Sequence, residues 1–286
     1  MIRSNKFRAF SLILFLSAFS FLVSFTAHAE DSSLIIGFAD WLHDSGDDVS
    51  AEVEYLRYLF ITGTSDARAI STLARIYRTR GDNEKLLSLS EKYSTLVDDR
   101  SVADDLSFLR GYSLLKLQRW QNFDDLLSSS PNLAGNGEAD FALSLAGDIY
   151  RGKMSEAKTI LLAHDGNTTD DLVASIKTEL ASYAPKNRAV AVGLSALIPG
   201  LGKAYAHQYG DAFVSFAITS TLVALTAYTA YSDGPHSWKP WVYGVSAGAF
   251  YSANLYGSSE AAVRYNETHE KSLKSKVDEI LAQYPR

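Results

Sequence analysis

AFVSFAITSTLVALTAYTAY, Ala212 to Tyr231, runs for about 20 residues without a charged side chain, the length a helix needs to cross the hydrocarbon core of a bilayer. WVYGVSAGAFYSANLYG, Trp241 to Gly257, is again uncharged over about 17 residues, the short end of that range. Between them lies Ser232-Asp233-Gly234-Pro235-His236-Ser237-Trp238-Lys239-Pro240, a polar turn with two prolines. This pattern predicts a membrane helical hairpin and puts a membrane module at 189–257. Tyr209, Tyr228, Tyr231, Trp238, Trp241 and Tyr243 fall near its ends, the depth aromatic rings prefer. Gly244, Ser246, Ala247, Gly248 and Ala249 are small enough for tight packing of the second helix on the first. Gly244 and Gly248 also have the spacing of a self-association face.

Immediately upstream stands Ser195-Ala196-Leu197-Ile198-Pro199-Gly200-Leu201-Gly202-Lys203-Ala204-Tyr205. Pro199 cannot donate a backbone hydrogen bond and breaks a helix, and Gly200 and Gly202 allow a sharp turn. A short or re-entrant helix over 190–198 is expected, turning at 199–203. These residues, with Gly210, Phe250-Tyr251-Ser252-Ala253-Asn254 and Arg264-Tyr265-Asn266, resemble the P-G-x-G-x-x-Y module of exported bacterial repeat proteins. The resemblance covers roughly 190–266 and implies a membrane hairpin beside a repeat domain, with no activity attached. Lys203 stands where glutamine is usual, and His207 where glycine is usual.

From 30 to 184 the pattern is helical and repetitive. Breaks at Gly46, Gly81, Gln118 and Gly152 are spaced 35, 37 and 34 residues. A period near 34, with two helices per unit, marks tetratricopeptide repeats. Small residues precede each break (Ala39, Ala74, Gly111 and Gly147), and large apolar ones flank it (Leu42, Tyr55, Tyr77, Leu86, Leu114, Phe123, Leu127 and Tyr150). The 30–184 segment resembles that family in degenerate form, without the closing prolines. The expected fold is all-α: a tetratricopeptide-like helical-hairpin solenoid, then a transmembrane helical hairpin and a C-terminal amphipathic helix. Ser65-Asp66 and Ser101 are the expected helix N-caps, and Pro131 to Gly137 a loop. Ala184-Pro185-Lys186-Asn187-Arg188 is the expected domain boundary. Over 258–286, Val277, Ile280 and Leu281 share a helix face, which predicts a surface helix with its basic residues near headgroups.

Arg3, Lys6 and Arg8, the apolar run Phe10–Phe25 and the Ala27-His28-Ala29 site predict that 1–29 is a secretory signal peptide with Glu30 the mature start; an uncleaved anchor over Ala9–Ala27 is the alternative. The chain has no cysteine, which excludes disulfides and thiol catalysis. The segment 30–184 carries net −11 and 185–286 net +2. That balance argues against nucleic acid, whose binders need a basic stripe. Two crossings return the C-terminus to the side of the repeats; three, counting 190–208, do not. The bias of Lys186, Arg188 and Lys203 conflicts with an exported two-span arrangement, and both topologies stay open.

No catalytic, cofactor or metal site is expected. The acidic pairs lack the alternating spacing of a calcium loop, His269-Glu270 lacks a second histidine four residues on, and Gly200-x-Gly202 is too short for a nucleotide loop. Asn167-Thr168-Thr169 and Asn266-Glu267-Thr268 are glycosylation sequons by pattern alone. The expected partners are the lipid bilayer and a protein or peptide on the repeats. The expected role is a non-enzymatic, inner-membrane-attached adaptor with its repeats in the periplasm. The alternative is an envelope transport or assembly component whose hairpin is the active part.

Overall fold

The structure, a computed structural model, describes residues 32–129, 137–164, 171–234 and 236–284. The expected signal peptide and the Asn167 sequon lie outside them. Thirteen helices account for the described fold: α1 (32–44), α2 (Asp48–Thr62), α3 (Ala67–Arg80), α4 (Asn83–Tyr93), α5 (Arg100–Lys116), α6 (Trp120–Ser129), α7 (Gly137–Tyr150), α8 (Met154–Ala163), α9 (Asp171–Ser182), α10 (Arg188–Leu197), α11 (Leu201–Tyr205), α12 (Tyr209–Ser232) and α13 (Trp238–Ala282). No strand occurs among the described residues.

The four expected breaks are turns of one kind. Gly46, Gly81, Gln118 and Gly152 all have positive φ, at 85°, 72°, 55° and 74°. At each, the marker N–H bonds the carbonyl three residues back, and the next N–H bonds the carbonyl five back: Gly81 to Arg78 and Asp82 to Tyr77, Gln118 to Leu115 and Arg119 to Leu114, and likewise at Gly46 and Gly152. This Schellman closure satisfies the carbonyls a helix end leaves open. Asp66 caps α3 through the Ala69 N–H, as expected. At α5 the cap is Asp99, which accepts from the Ser101 N–H; the carboxylate two residues earlier takes the place expected of Ser101. Of the expected loop, 131–136 lie outside the described residues, and Gly137 opens α7.

The described chain divides into two compact units at Ser144 and Leu145, with Leu281 onward belonging to the first. The core of the first is formed by Ala39, Ala51, Tyr55, Ile70, Leu73, Ala74, Tyr77, Leu86, Leu106, Leu114 and Phe123, each at most 3% exposed. Leu126 is buried at the position expected of Leu127, which is only half-buried. Glu52 lies in this core and accepts from Arg80 at 2.6 Å and Lys85 at 2.7 Å. Burial alone would raise its carboxyl, but the two cationic donors outweigh it and hold it below its ordinary range.

In the second unit, α12 has 24 residues and a mean hydropathy of 1.5 over its most apolar stretch, of which only 11% is buried by protein. It is the one described helix long and apolar enough to cross a membrane. α13 lies alongside: Gly244 faces Thr226, where an added Cβ would touch the methyl at 3.5 Å. This glycine therefore serves packing within the chain.

α13 runs 45 residues without interruption, from the expected membrane segment through Gly257 into the expected amphipathic helix. Leu273, Val277 and Ile280 are at most 3% exposed, and Lys276 Nζ pairs with Glu179 Oε2 at 2.7 Å. The expectation of a surface helix on headgroups is therefore corrected: its apolar face is buried in protein. The linker is likewise held. Asn266 accepts from the Lys186 N–H at 2.8 Å and donates to the Lys186 carbonyl at 2.9 Å. The Lys186 ammonium lies over the rings of Tyr205 and Tyr265, at 4.7 and 5.2 Å. The Asn266 sequon is thus occupied by a structural contact.

Candidate functional site

α3 presents Ser71, Arg75 and Arg78 at helical spacing, and α5 presents Val102, Asp105 and Leu109. Between them lies a cavity of about 310 Å³. Each charged group has a defined surrounding. Arg75 meets Nε2 of His43 at 2.8 Å, and Nδ1 of the same ring meets Asp48. A ring that donates to Asp48 through Nδ1 accepts from Arg75 through Nε2, so the neutral tautomer fits both contacts.

Arg78 Nη2 donates to the Leu281 carbonyl at 2.6 Å, and Nη1 to that of Tyr284. The guanidinium also lies 4.9 Å from the Tyr112 ring centre. Burial pulls Arg78 below its ordinary value, but it keeps its charge. The C-terminal residues are therefore held on Arg78, with Tyr284 against Phe108 at a ring separation of 5.8 Å. Asp105, on the other wall, has no ion-pair partner among the described residues. Burial, with Asp104 and Asp99 nearby, raises its carboxyl to about 6. The cavity is thus lined by two guanidiniums, Arg75 bonded to His43 and Arg78 to two carbonyls, and by an acid without an ion-pair partner among the described residues. Such a site can read backbone carbonyls on one wall and a donor or cation on the other. Arg75 and Arg78 carry no signal of their own in the sequence, and Asp104-Asp105 reads there as one of the solvated acidic pairs, since mixed charges on a helix face look like ordinary solvated residues. The detectable signal was Arg75 and Arg78 sharing the face of Ser71.

The glycine motif builds a second, wholly structural constellation. A Cβ on Gly200 would collide with the Ala212 carbonyl, and one on Gly202 with that of Ala191. The Gly200 N–H donates to Asn254 Oδ1 at 3.1 Å, and the Gly202 N–H to Ser195 Oγ at 2.8 Å. Ser195 and Ser258 hydroxyls meet at 2.6 Å, both fully buried. Lys203 Nζ donates to Ser215 at 2.7 Å, which gives the unusual lysine a partner. His207 has φ 63°, so the glycine usual in the module suits this backbone directly; here the imidazole stacks on Tyr265 at 5.4 Å instead.

Among the described residues no group of three histidine, aspartate or glutamate side chains could hold a metal ion. The site and fold define an all-helical protein with a charged cavity in one unit and a membrane-length helix in the other. No family model matches the chain, and neither a curated protein nor a solved structure matches it significantly.

Proposed function

We propose that the chain is an exported, membrane-attached helical-repeat adaptor that takes a protein or peptide segment in the groove between α3 and α5. The observation that carries this reading is the cavity wall itself: Arg75, Arg78 and Asp105 line about 310 Å³, with backbone carbonyls of the same chain already bound to Arg78. Tetratricopeptide-like pairs stack to present such grooves. α12 and the apolar part of α13 tether the repeats to the inner membrane, with the repeats in the periplasm. The rival reading makes the membrane helices the active part. Shallow apolar grooves of about 380 and 370 Å³, one lined by Thr226 and Trp241 and the other by Ile218 and Phe250, support it.

Co-purification of the full chain in detergent separates the two. The adaptor reading expects Arg75→Ala with Asp105→Ala to lose the bound partner while Ile218→Ala keeps it. The reverse pattern would select the rival.

A further inference from the structure

α1 and α2 each leave a row of apolar side chains uncovered. On α1, Leu34, Phe38 and Trp41 recur at one-turn spacing and are 68%, 49% and 62% exposed, with Phe38 and Trp41 stacked at 5.8 Å. On α2, Val49, Val53, Leu56 and Phe60 form the matching row, and Phe60 is 88% exposed. By contrast, α3 to α6 expose no large apolar side chain. A stacked helical pair covers its neighbour's apolar face, and a terminal pair needs a polar outer face to stay soluble. The first described pair, α1 and α2, has an apolar one.

We propose that this face is a homodimer interface, in which α1 and α2 of one copy pack on α1 and α2 of a second about a two-fold axis. Size supports a second copy. The seven side chains together expose on the order of 800 Å², the share one partner contributes to a standard interface. Charge supports it as well. Three of the six acids between 32 and 62 are ion-paired within the chain, Asp40 with Arg68, Glu52 with Arg80 and Lys85, and Glu54 with Arg57, while Asp48 meets the His43 ring and Asp44 and Asp47 lie at the exposed turn between the two helices. Arg57 is the only lysine or arginine between 32 and 62, so the pair lacks the basic residues that draw a surface to anionic lipid. What the face lacks is another apolar helical pair, and an identical copy supplies one.

The absence of cysteine makes the test clean. Single Phe60→Cys and Val53→Cys variants of the full chain, carrying two distinguishable tags, are oxidised in membranes before extraction, with Leu162→Cys on α8 as an equally exposed control. We expect disulfide-linked chains bearing both tags at one or both interface positions and none at Leu162. Adding Phe38→Glu, a change on the opposite helix, should lower that yield at least about tenfold, because it buries like charges against each other. Unchanged helical circular dichroism shows that the variant still folds. Three results would overturn the proposal: no crosslink at either position, adducts lacking the second tag, or a yield indifferent to Phe38→Glu.

Discussion

Gln118 occupies a left-handed position that three glycines hold in the equivalent turns. A side chain with a Cβ is strained there, whereas glycine is not. Gln118→Gly should therefore raise stability by about 0.5–1 kcal/mol, and Gly81→Ala should lower it by about 1 kcal/mol. Thermal unfolding in detergent reads both, with opposite signs. Asp105 makes a second test at this scale. Its carboxyl is raised to about 6 from an ordinary value near 3.8. The folded state thus binds the proton more tightly than the unfolded state, and Asp105 costs stability increasingly as pH rises from about 4 to about 6. Asp105→Asn should be more stable than the wild type at pH 7.5 by about 1 kcal/mol, less than the full shift implies because the carboxyl is only half-buried. The difference should vanish below pH 4. A gain that persists at pH 3.5 would remove the proton as its cause.

α12 is apolar on nearly every side, with Val223 mid-helix and 54% exposed. That exposure is costly in water and favourable in hydrocarbon. Carbonate washing should leave the wild-type chain in the membrane pellet. Val223→Asp should weaken insertion by about 3 kcal/mol and release part of the protein. Wild type found in the carbonate supernatant would make α12 a helix of some other interface. The corner beneath α12 depends on Gly202, because a methyl there meets the Ala191 carbonyl and the buried Ser195 hydroxyl. Gly202→Ala should open that corner and expose Lys203 to trypsin, and unchanged protease resistance would show that the backbone can shift to accept it.

At the scale of the whole molecule, topology follows from where the chain ends. Leu281 and Tyr284 are buried in the same unit as α3 and α5, with Arg78 holding both carbonyls. One folded unit cannot lie on two sides of a bilayer. α10, with 10 residues, spans about 15 Å and is too short to cross. If α12 crosses one way, α13 must return, which leaves two crossings rather than three. Cysteines introduced at Ser128 and Ala282 should be labelled by an impermeant reagent from one side, and one at Ser232 from the other. The same labelling assigns the side of Lys186, Arg188 and Lys203, because at the far turn Lys239 is neutralised by Asp233 at 2.8 Å.

The order of the helices, the four turns and the membrane-length segment were legible in the residues, because each rests on local physics. Periodic apolar residues choose the helix face, glycine supplies positive φ, and an uncharged run of about 20 residues has a length that needs no neighbour to interpret. Gln118 was readable as a turn only through the period of the glycines around it. Three further features required the folded chain. Whether Val277, Ile280 and Leu281 meet lipid or protein is a question about what lies opposite them, and an amphipathic stripe is the same in both cases. The linker at Lys186 is rigid because Asn266, 80 residues away, bonds both its backbone groups. The charge pattern of the α3–α5 cavity exists only when two helices from different pairs face each other. Local sequence chose the elements. Long-range packing decided which faces are covered, which charges remain unmet, and that Leu281 and Tyr284 return to the unit of α3 and α5.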